Sequence, residues 1–130
     1  MKRGILLIGH GSRTGKSREI ILDMARLMQE KSGILTQPCF LEFDRPTVPE
    51  GLALLAETAD LISAVPMFLA PGTHTEKTIP ELLGVPEGKK ETVIYRKDQT
   101  AVSLIYADPI CAEPALADIL LRKADSSFPS

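Results

Sequence analysis

Residues 4–13 read GILLIGHGSR, and this stretch decides the fold. Ile5 to Ile8 is a continuous apolar run of strand length with a glycine at each end. A strand wetted on one side alternates apolar and polar residues. An uninterrupted run suits a strand covered on both faces, as in a parallel sheet. Directly after it stands His10, one of only two histidines in the chain. Gly9 and Gly11 flank it, where the backbone can bend sharply and a large flat ligand can come close.

Working outward, residues 12–16 are polar and turn-like. From Ser17, Ile20, Met24, Leu27, Met28 and the stem of Lys31 recur at helical spacing until Gly33. Thr36 to Phe43 is a second strand. Thr47-Val48-Pro49-Glu50 has the form of a capping box and opens a helix with Leu52, Leu55, Ala56 and Ala59 inward. Asp60 to Leu69 is a third strand, its ladder expected to weaken at Pro66. Thr78-Ile79-Pro80-Glu81 repeats the capping-box form, and Gly84 stops a short helix. Residues 86–100 lack a clear period and read as a surface excursion or a hairpin arm around TVIYRK. Residues 102–107, VSLIYA, are a fourth strand. Glu113 to Ala124 is a final amphipathic helix, and residues 126–130 are expected to fray. Strand and helix thus alternate four times. The pattern predicts an α/β fold: an open, mostly parallel four-stranded sheet flanked by helices, in one domain over residues 1–125.

Composition narrows the function classes. A net charge of −2 gives no general attraction to nucleic acid, and 5% aromatics with no tryptophan argue against a base-stacking platform. No apolar stretch approaches the roughly 20 residues that span a bilayer. The apolar run before His10 is too short for a signal peptide, so a cytoplasmic protein is expected. Cys39 and Cys111 form no CxxC and read as reduced, buried thiols.

In open α/β sheets, ligands bind beyond the carboxyl ends of the strands. His10 follows strand one and His74 follows strand three. These strands are often neighbours at the switch point, so both imidazoles are expected over one crevice. Glu42, at the end of strand two, points toward the same edge, and Gly72 gives close approach beside His74. Two imidazoles and a carboxylate form a borderline N/O set that suits cobalt, nickel, iron or zinc better than magnesium or calcium. The plainer alternatives are a histidine that only caps a helix or bonds a loop carbonyl, a Glu42 that only makes an ion pair, and a solvated helix face at Arg13, Lys16 and Arg18. GHGSRTG spaces its glycines as GxGxxxG, so the dinucleotide fingerprint is weak. No P-loop exists, and Ser12 lacks the GxSxG elbow of a hydrolase.

GILLIGHGSR (4–13), CFLEFDRPTVPEGLALL (39–55), VPMFLAPGTHTEKTIPELLG (65–84) and YADPI (106–110) follow one another in the order and spacing of the CbiX/SirB-type class II chelatases. The chain resembles the short, single-domain form of that family. The resemblance implies a chelatase-like, flavodoxin-like half and insertion of a divalent metal into sirohydrochlorin. It places the metal-binding, catalytic histidines at His10 and His74 and the family's frequent glutamate at Glu42. It implies a homodimer, with cobalt, nickel or iron as substrate and no tightly bound cofactor. The substrate's carboxylates are expected on Gly11, Ser12, Arg13, Lys16, Arg45, Gly72, Thr73 and Lys77, with Met67, Phe68 and Leu69 candidates to back the ring. Where relatives read HxxxDIP, this chain has Thr78, which removes a carboxylate partner for His74. Two other functions stay open at this point. A tetrapyrrole or metal carrier would show no turnover beyond one equivalent. A phosphate-ligand domain would bind nucleotide or flavin without metal.

Overall fold

A computed structural model describes residues 1–130. Its elements run β1 (Arg3–Gly9), α1 (Lys16–Ser32), β2 (Leu35–Phe40), α2 (Val48–Ala56), β3 (Leu61–Pro66), a π-helix (His74–Thr78), α3 (Ile79–Leu83), β4 (Glu91–Tyr95), β5 (Ala101–Tyr106) and α4 (Pro114–Ser127). The sheet has five strands in the order β2-β1-β3-β5-β4, one more than the sequence pattern predicts. All pairs are parallel except β4–β5, which is the hairpin arm. β4 escapes a reading by period because its burial is shallow: Thr92 and Ile94 are half-buried and Glu91, Val93 and Tyr95 are exposed.

β1 is an interior strand paired on both sides, and Leu6, Leu7 and Ile8 are each at most 2% exposed. Side chains alternate across a strand, so Leu6 and Ile8 face a cluster with α2 and α3, while Leu7 joins Ile21, Ala25 and Phe40 under α1. The buried stripe of α1 is Ile21 and Ala25 with Met24 and Met28 beside it; Ile20 and Leu27 are exposed, contrary to the spacing read above. Cys39 is buried as expected, and burial pushes its thiol up to about 12. Cys111 is exposed, a correction, because the loop after β5 runs over the surface. β3 stops at Pro66, whose missing N–H cannot extend the ladder. α4 continues through Ser127, so the tail is helical further than predicted, yet none of its residues is buried.

Thr47 accepts from the Glu50 N–H and Glu50 accepts from the Thr47 N–H, a complete capping box at α2. The second box does not form. Thr78 is already helical, because the π-helix runs straight into α3 and removes the extended residue a cap needs. The Arg45 guanidinium and the Thr47 N–H hold the Glu50 carboxyl down at about 2. Its folded value lies below its unfolded one, so its stabilisation is full above about pH 4.5 and is lost as the pH falls toward 2. Thr47→Ala is expected to cost about 1 kcal/mol. Glu50→Gln is expected to flatten the acid limb of stability in that window, measured by urea melts at stepped pH.

At the amino ends of the parallel strands, Arg96, just after β4, donates to Ala56 O (2.5 Å), Ala59 O (2.7 Å) and Asp60 Oδ1 (3.0 Å). Asp60 also accepts from the Lys2 N–H at 2.9 Å, and these donors, Lys2 first, hold its carboxyl below the usual range. One guanidinium thereby closes carbonyls left open where α2 ends.

Candidate metal and tetrapyrrole site

The loops after β1, β2 and β3 meet at the carboxyl edge, where β1 is flanked by both neighbours. The β1–β2 pairing continues beyond the strands: Leu41 N–H donates to Gly9 O at 3.0 Å and Glu42 N–H to His10 O at 2.9 Å. Glu42 therefore sits in the loop past β2, not at its last position, and its carboxylate turns onto His10. Gly11 makes this closeness possible. Its φ is +93°, and an added Cβ would stand 1.9 Å from Glu42 O. Gly9 has a different duty from the one the sequence suggests. A Cβ there would meet Ile21 at 2.5 Å, so Gly9 lets α1 pack on the sheet. Gly72 has open space around it and an unexceptional φ, so neither close packing nor backbone conformation requires a glycine there.

His10 Nε2 lies 3.1 Å from Glu42 Oε2, and its Nδ1 lies 3.1 Å from Gly11 O. A carbonyl oxygen only accepts, so the Nδ1 hydrogen belongs on Gly11. In the neutral ring, Nε2 then presents a lone pair to a carboxylate oxygen. A proton or a metal cation placed between them relieves that opposition. The His74 ring stands alongside, its centroid 5.4 Å from that of His10. The His74 Nδ1 is 3.4 Å from Thr78 Oγ1, the residue found in place of the relatives' aspartate. No three His, Cys, Asp or Glu side chains are drawn together tightly enough to enclose an ion. The arrangement is one Nε2–carboxylate pair with a second imidazole beside it.

His74 begins the π-helix, whose wider turn is closed by the Ile79 N–H on His74 O. Such single turns recur at functional sites. Tyr106 at the end of β5 donates its hydroxyl to Thr75 O at 2.7 Å and ties this turn to the sheet. Burial, and secondarily Asp108, push the Tyr106 phenol up to about 12, so it stays a donor.

The other predicted residues divide. Ser12 is at the site, but its hydroxyl accepts from the Ser17 N–H at 3.2 Å and its own N–H donates to Asp44 Oδ2 at 3.0 Å. Arg13 is exposed and stacks over Phe43, 5.0 Å from the ring centre. Lys16, Thr73 and Lys77 are exposed on neighbouring turns. Arg45 is committed to Glu50. Phe68 lies 6.3 Å from His74 and packs against the core, whereas Leu69 is exposed. Two residues escaped the sequence reading. Phe43, at φ +66°, has its ring 6.5 Å from His10, and Asp44 pins the loop through Ser12. Their position beside Glu42 was the available signal, but neither a phenylalanine nor a lone aspartate carries a motif.

The CbiX family model matches residues 4–127. The chain is 36% identical over 129 residues to the sirohydrochlorin cobaltochelatase of Methanosarcina acetivorans, covering 98% of each chain. It is 35% identical over 132 residues to that of Methanopyrus kandleri, covering 92% of each. Its fold is similar to the sirohydrochlorin chelatase SirB from Bacillus subtilis subspecies spizizenii in complex with cobalt, with a TM-score of 0.80 at 22% identity. That match covers 98% of this chain and 51% of SirB, so the chain spans about half the solved protein. No helix is long and apolar enough to cross a membrane. The near-complete match to one family model, over the same strand-end loops that carry His10, Glu42 and His74, shows that this chain belongs to the CbiX family.

Proposed function

We propose that this protein inserts a divalent metal, cobalt or nickel with iron as a further substrate, into sirohydrochlorin. It acts as a cytoplasmic homodimer without a resident cofactor. The observation that carries the reading is the facing pair His10 Nε2 and Glu42 Oε2 at 3.1 Å, with His74 beside it at an open strand edge. Metal insertion exchanges two pyrrole protons for one cation. The cation must shed water, which protein ligands assist, and must then leave, so a partial ligand set serves better than a closed one. His10 Nε2 and Glu42 Oε2 take the ion between them, and His74 beside them offers a further lone pair. When it passes to the macrocycle, one pyrrole proton takes the vacated place between His10 Nε2 and Glu42 Oε2, the second goes to the freed His74 imidazole, and these groups act as general bases before releasing both protons to water. Protons compete for the same lone pairs, so the rate falls with acidity. Arg13 at the rim is placed to meet a peripheral carboxylate by a charge-assisted bond. Phe43 and Phe68, at either end of the histidine pair, offer apolar walls to a flat ring.

Purified protein mixed with sirohydrochlorin and Co²⁺ or Ni²⁺ is expected to shift the pigment's absorption faster than the metal alone. It should continue through many equivalents of pigment. A reaction that stops at one equivalent would mark a carrier instead.

A further inference from the structure

His74 owes its place to a turn that departs from the ordinary helical count. The Ile79 N–H closes the π-helix on His74 O, five residues back. In an α-helix that N–H would reach Thr75 O instead. This sequence disfavours the α-helical register. A continuous α-helix here would set the Pro80 ring against Glu76 O, four residues back. The wider turn avoids that contact but strands a carbonyl. In the π register the donor for Thr75 O is residue 80, and proline has no N–H. Thr75 is buried, and a buried carbonyl without a donor is costly.

Tyr106 supplies the missing donor. Its hydroxyl gives Thr75 O a buried hydrogen bond of 2.7 Å. The tyrosine is the last residue of β5, a strand with β3 on one side and β4 on the other. Its own N–H donates to Lys90 O at 2.7 Å. The donor therefore comes from a fixed point of the sheet and not from the helix. Within the turn, the Thr75 hydroxyl accepts from the Gly72 N–H at 2.9 Å and donates to Gly72 O at 3.2 Å, which closes the entry. These bonds set the His74 ring, with Nδ1 3.4 Å from Thr78 Oγ1 and its centroid 5.4 Å from that of His10. A water admitted in place of the phenol hydroxyl would satisfy the carbonyl but would not join the turn to the strand.

We infer that Tyr106 is a positioning residue for metal insertion: its hydroxyl fixes the π-helix to β5 and so holds the His74 imidazole beside the His10–Glu42 pair. The inference rests on the reading of His74 as a metal ligand. Tyr106 acts through the backbone of the residue after His74, not through contact with the ion.

Tyr106→Phe keeps the ring under Lys90 and removes only the hydroxyl. The variant is expected to fold with unchanged circular dichroism, while its Ile79 amide exchanges with deuterium faster than in wild type. Groups that orient metal ligands typically account for 10–100-fold in affinity or activity, so Co²⁺ titrated without pigment should bind about tenfold more weakly. In the insertion assay, KM for Co²⁺ should rise by a similar factor, with kcat at saturating Co²⁺ and KM for sirohydrochlorin little changed. Arg96→Ala, which loosens the opposite end of the sheet, is the control and should keep the wild-type Co²⁺ affinity. A fall in kcat with Co²⁺ affinity unchanged would mark an ordinary packing role and overturn the inference. An equal loss of affinity in Arg96→Ala would do the same, since affinity would then follow general stability. Wild-type Co²⁺ affinity in Tyr106→Phe, beside a weakened His74→Ala, would overturn the inference alone. Wild-type Co²⁺ affinity in His74→Ala would overturn the reading of the metal site and the inference with it.

Discussion

His74→Ala is expected to slow metal insertion into sirohydrochlorin by about 100-fold or more, and His10→Ala by a similar factor, with the fold intact. Removing even a group that only orients a metal ligand typically costs 10–100-fold, and these substitutions remove the ligands themselves. Both rings are partly exposed at the strand edge and contribute nothing to either core cluster. Circular dichroism and thermal melts should therefore match wild type. Glu42→Gln keeps the size of the side chain while withdrawing its charge. It is expected to weaken Co²⁺ binding and, separately, to slow proton uptake, seen as a changed pH profile at saturating metal. Wild-type rates in both alanine variants would end the proposed chemistry.

Gly11→Ala carries the largest expected effect on stability. Its φ of +93° is unfavourable for any residue with a Cβ, and the new carbon would stand 1.9 Å from Glu42 O, a backbone atom with no rotamer to retreat into. The β2 loop must move, and with it go the Glu42 N–H bond to His10 O and the Asp44 bond to Ser12. A loss of about 3 kcal/mol or more is expected, a fall in Tm of about 10 °C for a chain of this size. Activity should fall along with it, because the carboxylate leaves the imidazole. Gly15→Ala is the control. Gly15 also has positive φ, at +77°, but has open space where a Cβ would go. Its expected cost is only the backbone term of about 1 kcal/mol, with activity retained. Equal effects at the two glycines would show that the Glu42 contact is unimportant.

The parts of the molecule that were legible in sequence are those where local pattern and tertiary need coincide. The unbroken apolar run of β1 follows from its interior place between β2 and β3, covered on both faces, and the Thr47–Glu50 box closes as written. The strand-end rule brings His10 and His74 together because β1 and β3 are neighbours. What escaped has definite physical causes. β4 is an edge strand paired on one side, so burial imposes little pattern on it. Ile20 and Leu27 fit a helical period as well as Ile21 and Ala25 do, and only the contact with Leu7 and Phe40 selects the face. Thr78-Ile79-Pro80-Glu81 has the letters of a cap, but a preceding helical turn denies it the backbone geometry. Arg45 looked available for a carboxylate because nothing in the letters shows that its nearest acid is Glu50. Gly9 and Gly11 are alike on paper; one makes room for a helix, the other for a loop.

Arg96 gives the two ends of the sheet different freedoms. It fastens the hairpin to the end of α2 and to Asp60 at the rim away from the histidines, so cohesion there does not depend on how the opposite loops are composed. Loop substitutions that retune which pigment or ion is accepted can accumulate around His10 and His74 without loosening that fastening. A change at Arg96 would be felt first as a looser hairpin rather than as altered chemistry.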